Sequence, residues 1–229
     1  DAAPRAVGIA ITGPIDVRTR LVHNPYTLPD WSGSDWADEL ESKMGIPVVV
    51  DNDAMGAAFG EFALGAGRSA EVMCLVMLGT GIGVAVVSRR FGALRGAGAF
   101  HPEAGHVLVS TEGERCYCGQ VGCWEELCSG ESIPRYWTTD DGIDWDAYAR
   151  MLARGICNLS RSYAPNIIVF GGGVSDNFDD FAPWLRASFA EPDPMGRPEP
   201  PLFVRAELDQ PGTTGAAYLA DRAIRGDTR

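Results

Sequence analysis

Three closely spaced cysteines constrain the fold of this chain more than any other feature of its sequence. They lie in Cys116-Tyr-Cys118-Gly-Gln-Val-Gly-Cys123, a glycine-rich stretch of a chain that opens without the basic and apolar regions of a secretory signal. This spacing favours a metal over disulfides, because three thiolates on one loop can converge on a tetrahedral ion. His106, which we expect on an upstream strand, is the candidate fourth ligand, since Cys₃His is an accepted structural zinc set.

The competing interpretation of these three cysteines is that they are buried or incidental. A free cysteine can pack as a small apolar side chain, and burial alone would then explain it. We prefer that interpretation for the remaining cysteines, which have apolar neighbours and are expected in the core: Cys74, Cys128 and Cys157.

Composition limits the possible ligands and locations of the protein. A formal charge of -12 over 229 residues opposes direct binding to nucleic acid, which normally depends on clustered Lys and Arg. No apolar run approaches the ~20 residues needed to span a bilayer, so we expect no membrane segment and a cytoplasmic protein. With 45% hydrophobic residues, the chain can bury one large core or two smaller ones.

The first third of the chain has the pattern of a β-α-β unit. The apolar run Val7–Ile11 predicts a buried strand, residues 35–44 a helix that stops at a glycine, and residues 47–50 a second strand. An Ala-rich helix follows over residues 54–64. Asp51-Asn52-Asp53 therefore lies where a strand ends and a helix begins, and such junctions are natural ligand sites.

The rest of the chain continues the alternation of strands and helices. Two apolar runs, residues 72–78 and 82–87, flank Gly79-Thr80-Gly81 and predict a tight hairpin whose turn lets backbone N–H groups approach a phosphate. Residues 191–201 are predicted to form a loop, because five of these eleven positions are proline. The remaining pattern predicts helices over 145–163, from 179 and over 214–224, and strands over 167–170 and 202–204.

Two unusual motifs in order make a resemblance specific. Residues 116–125 read Cys-x-Cys-Gly-x-x-Gly-Cys-x-Glu, and Glu103-Ala-Gly105-His106 precedes them. Together they resemble the signature of the ROK family (repressors, open reading frames, kinases). Further segments extend the resemblance over nearly the whole chain: Gly8–Pro14, Val48–Asp53, Leu78–Gly83 and Gly171–Ser175.

The resemblance implies an α/β fold of two lobes, of the actin-like, ribonuclease-H-like ATPase type, with a zinc-binding loop at residues 103–125. It places residues 1–66, joined by a C-terminal helix over 214–229, in the first lobe and residues 67–213 in the second. Nucleotide and sugar are expected in the cleft between the lobes. Family members begin with a strand carrying Asp-x-Gly-Gly-Thr, which is not found here, so we expect that an amino-terminal segment is missing from this sequence.

The resemblance also assigns roles to individual residues. It implies that Asp53 is the general base and that the sugar is bound by Asn52, Asp53, Glu103, His106 and Glu125. Nucleotide contacts are implied for the two glycine turns, at Thr80, Gly81, Gly172 and Gly173. The implied zinc ligands are His106, Cys116, Cys118 and Cys123. Mg²⁺ is expected to accompany ATP.

Taken without the resemblance, several of these residues have plainer explanations. Asn and Asp at a strand end are ordinary helix N-caps, which would account for Asn52 and Asp53. Glu103 and Glu125 could be solvated surface carboxylates. Only the family context favours the functional roles.

The resulting hypothesis is phosphoryl transfer from Mg-ATP to a hydroxyl, most often the 6-hydroxyl, of a hexose or hexose derivative. A carboxylate such as Asp53 can accept the hydroxyl proton while positioned charges stabilise the transferring phosphoryl group. A homodimer or higher homo-oligomer is expected. The first alternative is a sugar-sensing transcriptional regulator of the same family, and the second is a zinc-ribbon interaction module, which leaves the glycine motifs unexplained.

Overall fold

The computed structural model describes residues 3–25, 27–191 and 199–226. Its strands are β1 (Val7–Ile11), β2 (Ile15–Asp16), β3 (Leu21–Val22), β4 (Val48–Asn52), β5 (Val72–Leu78), β6 (Ile82–Ser88), β7 (Gly92–Ala93), β8 (Thr138–Thr139), β9 (Gly142–Ile143), β10 (Ile167–Gly171) and β11 (Leu202–Arg205). Its helices are α1 (Trp36–Met44), α2 (Asp53–Leu64), α3 (Trp124–Cys128), α4 (Ile133–Tyr136), α5 (Trp145–Tyr163), α6 (Phe178–Ala187) and α7 (Pro211–Arg225). The predicted α/β class is confirmed.

The chain divides into two compact units. The first contains residues 1–70, 85–102 and 207–229, and the second contains residues 71–84 and 103–206. Residues 85–102, which were expected in the second lobe, belong to the first unit, where residues 97–99 contact β2 and Arg95 pairs with Asp51. The end of the predicted helix, residues 227–229, and most of the predicted proline-rich loop, residues 192–198, lie outside the described residues.

The first unit is built on two parallel strands covered by helices. β1 pairs with β4 in the register Val7 to Val48, and α2 packs against both α7 and β1. The two helices approach closely: a Cβ on Gly215 would lie 1.6 Å from the carbonyl oxygen of Gly56. Any larger residue at position 215 would force the helices apart. A small core lies on the other side: Ile15, Val22, Ala37, Val48 and Val50.

The second unit is organised around β10. This strand is completely buried and pairs in parallel with β5 on one side and β11 on the other. Helix α5 packs against α3 and α6, and its Tyr148 meets Phe181 of α6 edge-on with ring centroids 5.8 Å apart. Among the described residues, no helix is long and apolar enough to cross a membrane.

Candidate functional site

The second unit gathers the four residues predicted to bind metal. The ligand atoms of His106, Cys116, Cys118 and Cys123 all lie within 4.8 Å of one another. Nδ1 of His106 is 3.3 Å from Sγ of Cys123 and 3.7 Å from Sγ of Cys116. This nitrogen therefore faces the sulfurs. One imidazole and three thiols form a donor set that suits a tetrahedral zinc ion and leaves no open coordination position.

The predicted strand at His106 is wrong. His106 ends a 3-10 turn, Ala104–His106, whose backbone lies against the start of β6. A Cβ on Gly105 would sit 2.0 Å from the carbonyl oxygen of Ile82, so the tightness of this contact requires glycine. The turn places the ring of His106 beside the cysteine loop.

A network of backbone hydrogen bonds shapes the cysteine loop. The N–H of Cys116 donates to the carbonyl of Gln120, and the N–H of Gly119 donates back to the carbonyl of Cys116. Burial raises the pKa of the Cys123 thiol to about 12 and also raises that of Cys116. Without a cation to stabilise the thiolates, both sulfurs keep their protons at neutral pH.

The second nitrogen of His106 faces polar groups rather than sulfur. Nε2 lies 3.0 Å from Oη of Tyr117 and 3.9 Å from a carboxylate oxygen of Glu125. The other carboxylate oxygen of Glu125 accepts a hydrogen bond of 2.8 Å from the N–H of Ile82. The side chain of Glu125 is only 13% exposed, so it is not the solvated surface carboxylate of the plainer explanation. Glu103, in contrast, is an exposed residue at the start of the 3-10 turn.

The two glycine turns lie at the carboxyl ends of neighbouring parallel strands, β5 and β10. The turn Gly79-Thr80-Gly81 follows β5, and Gly172-Gly173 follows β10. Gly172 has a φ of 82°, and a Cβ on it would lie 2.5 Å from the carbonyl oxygen of Leu78, so the second turn contacts the end of the first strand. Carboxyl ends of parallel strands are where α/β proteins usually bind ligands.

Glu125 joins the first glycine turn to the cluster of four candidate metal ligands. A Cβ on Gly81 would lie 2.5 Å from the carboxylate oxygen of Glu125 that caps Ile82. The N–H of Gly130, beyond the end of α3, donates to the carbonyl of Gly79. The turn is thus held from two sides, and Thr80 remains exposed between them.

The first unit carries the predicted base at the junction of β4 and α2. Asn52 caps α2: its Oδ1 accepts from the N–H groups of Ala54 and Met55, at 2.9 and 3.2 Å. Its Nδ2 donates to the carbonyl of Gly13. Asp53 is the first residue of the helix and is exposed.

Asp53 borders a groove of about 700 Å³ in the first unit. Gly8 and Ala10 of β1 and Gly212 and Thr213 of α7 also line it. The groove is open space next to Asp53. The carboxylate at position 53 therefore has room for a ligand beside it, which a simple N-cap would not need.

Sequence reasoning missed two residues that contact the predicted site. Arg95 donates to the buried carboxylate of Asp51, immediately before Asn52, and this ion pair ties the segment after β7 to the end of β4. No local pattern marks Arg95, because 44 residues separate the partners. Tyr117 is the other, and its position within the cysteine motif was a signal that could have found it.

With this geometry in hand, comparison with known proteins identifies the family. Residues 2–223 match the model described as "ROK family". The chain belongs to the ROK family. This match confirms the membership predicted from the cysteine and histidine motifs.

Proteins similar to this chain include enzymes and regulators. A glucokinase of Streptomyces coelicolor is 29% identical over 94% of this chain and 80% of its own length. A ROK family glucokinase from Streptomyces griseus, solved in complex with glucose and AMPPNP, has the same fold, with a TM-score of 0.78, 29% identity, and coverage of 96% of this chain and 82% of that chain. The xylose repressor of Bacillus subtilis is 28% identical over 82% of this chain and 50% of its own length.

Proposed function

We propose that this ROK protein is an ATP-dependent sugar kinase that phosphorylates a hexose or hexose derivative, most often at the 6-hydroxyl. The observation that carries the proposal is the second nitrogen of His106: one ring nitrogen faces the sulfurs of Cys116 and Cys123, and the other lies on the side of Glu125. Sugars are bound by convergent polar groups with fixed directions, and a ring fixed by metal supplies one. The glucokinase relatives support the kinase class.

In this proposal a structural zinc ion is bound by His106, Cys116, Cys118 and Cys123. The donor set fits zinc in type and number, and two of the sulfurs belong to buried residues. Zinc would lock the His106 ring and the start of α3. Because Glu125 lies two residues after Cys123, the same ion would hold its carboxylate in place.

Asp53 is the proposed general base, and Asn52 the proposed contact to a sugar hydroxyl. The carboxylate of Asp53 is exposed beside a groove and can accept the proton of the attacking hydroxyl. Asn52 has one Nδ2 hydrogen beyond the one that Gly13 receives. Glu103, His106 and Glu125 are the proposed contacts to the remaining sugar hydroxyls.

The nucleotide is proposed to contact the two glycine turns. Thr80 and Gly81 follow β5, Gly172 and Gly173 follow β10, and the backbone at both turns can approach phosphate oxygens closely. Mg²⁺ would accompany ATP and neutralise charge on the transferring phosphoryl group. Glu125, which caps Ile82 next to the first turn, would connect nucleotide binding to sugar binding.

A sugar-sensing regulator is the second candidate, and the xylose repressor relative favours it. Such a protein would need the sugar site and the zinc but not the base. Substitution of Asp53 distinguishes the two functions, because a regulator can lose this carboxylate and still respond to sugar, whereas a kinase loses phosphoryl transfer.

The test is phosphoryl transfer by the complete natural protein. Incubation with Mg-ATP and a panel of hexoses and N-acetylhexosamines, followed by ³¹P NMR, should show a sugar phosphate from at least one of them. Sugar binding without turnover of any panel member, together with sugar-dependent DNA binding, would replace the kinase by the regulator. If the protein neither binds nor phosphorylates any sugar of the panel, both the kinase and the regulator are overturned.

A further inference from the structure

The contact between His106 and Tyr117 is not explained by the proposed function. Oη of Tyr117 lies 3.0 Å from Nε2 of His106, and the two rings meet edge-on, with centroids 5.0 Å apart and an interplanar angle of 88°. Tyr117 is nevertheless 79% exposed, and it lies between two of the three cysteines of the cluster. An exposed phenol thus uses the one ring nitrogen that a substrate would need.

The direction of the hydrogen bond follows from the other nitrogen. Nδ1 of His106 faces the sulfurs of Cys116 and Cys123, where its lone pair would meet a metal ion. In a neutral imidazole the remaining nitrogen, Nε2, then carries the proton and is a donor. A single N–H makes one strong hydrogen bond, so an acceptor that binds Nε2 must first replace Oη of Tyr117.

Tyr117 can leave this position without opening the core. Most of its surface is already in solvent, and its neighbour Cys118 is exposed as well. Turning the phenol away breaks its hydrogen bond to His106, its polar contact with Glu125 and one edge-on ring contact. Glu125 interacts with the phenol hydroxyl through its carboxylate, but it keeps its own hydrogen bond from the N–H of Ile82 when the phenol leaves.

We propose that Tyr117 competes with the sugar for His106: in the sugar-free protein the phenol holds the Nε2–H donor, and a sugar hydroxyl must displace it. This inference rests on the proposed function, because it takes the sugar to be the ligand of Nε2. Tyr117 then sets how strongly the protein binds its substrate. It also keeps the donor satisfied when no sugar is present.

Replacement of the hydroxyl alone tests this competition. Tyr117→Phe keeps the ring and removes the competing acceptor, so the sugar no longer has to break a hydrogen bond. We expect the dissociation constant of the sugar to fall about twofold to tenfold, the equivalent of one net hydrogen bond. The probe is the hexose that the wild-type protein phosphorylates fastest, titrated calorimetrically into zinc-loaded protein.

Tyr136→Phe is the matched control. Tyr136 belongs to the same unit, and its hydroxyl donates to Glu126 rather than to His106. We expect sugar affinity within twofold of wild type for this variant and an unchanged zinc content for both. As a second readout, the ¹⁵N resonance of Nε2 in sugar-free protein should shift in Tyr117→Phe and not in Tyr136→Phe.

The possible outcomes are distinguishable. Equal affinity of Tyr117→Phe and wild type would overturn the competition, and weaker binding would overturn it by making the phenol a sugar contact. Both results leave the kinase proposal intact. Failure of the wild-type protein to bind any hexose of the panel would overturn the proposed function, and the competition with it.

Discussion

Glu125→Gln tests whether the proposed zinc-binding loop also contributes to sugar binding. One carboxylate oxygen accepts from the N–H of Ile82 at 2.8 Å, and the other lies 3.9 Å from Nε2 of His106. Glutamine has a single acceptor oxygen. If that oxygen stays on Ile82, the new NH₂ group faces the donor nitrogen of His106, and the position can no longer accept from a sugar hydroxyl.

The size of the effect follows from the loss of a hydrogen bond to a charged group. Such a bond contributes ~1.5–3 kcal/mol, and a neutral one ~1 kcal/mol. With the side chain 13% exposed, solvent replaces little of the lost interaction. We expect sugar binding to weaken by about 1–3 kcal/mol, which is about fivefold to 150-fold in the dissociation constant.

Calorimetry on zinc-loaded protein measures this change, and Glu126→Gln is the control. Glu126 is the next residue on α3, but its carboxylate pairs with Arg135 and accepts from Tyr136 instead. Its substitution should leave sugar affinity within twofold of wild type. Unaltered affinity of Glu125→Gln would refute the sugar contact and leave Glu125 as an anchor of the glycine turn. Parallel loss of zinc would show instead that Glu125 supports the metal site.

Two further expectations concern the metal and the packing behind it. Purified protein should contain one zinc per chain by elemental analysis, and removal by chelator should unfold the loop, because structural zinc contributes on the order of 10 kcal/mol to folding; near-zero metal with unchanged folding would contradict this. Gly155→Ala should destabilise the protein to urea by about 1–3 kcal/mol, since its Cβ would lie 2.1 Å from the buried ring of Trp124, which outweighs a gain of ~1 kcal/mol in helix propensity. Gly212→Ala is the control: Gly212 also lies in a helix, but a Cβ there would meet nothing within 4 Å, so this substitution should not destabilise the protein.

Local patterns predicted most of the fold. Residues 145–163 were predicted as a helix from their periodicity, and α5 has those bounds. Helix α7 begins three residues before the predicted start, with Pro211 in its first turn, a position that proline favours. The error at His106 has a physical reason: the 3-10 turn depends on the close approach of Gly105 to Ile82, a contact between distant residues that no window around His106 contains.

The same distinction between local and distant contacts applies to the site. The four candidate metal ligands were predicted because three of them share one short motif, and the structure brings them together. The contact between Glu125 and Ile82 spans 43 residues and could not be read from spacing. Neither could the ion pair of Asp51 with Arg95. Long-range pairs depend on how strands and loops pack, which the sequence pattern does not specify.

The most direct test of the kinase proposal compares phosphoryl transfer and sugar binding in Asp53→Asn. The amide keeps the shape of the side chain and one acceptor, but it cannot take the proton of the attacking hydroxyl. The complete natural protein carrying this change should bind the sugar within about twofold of wild type and transfer phosphate ~10²–10⁴-fold more slowly. Turnover within twofold of the wild-type rate would contradict the assignment of Asp53 as the base.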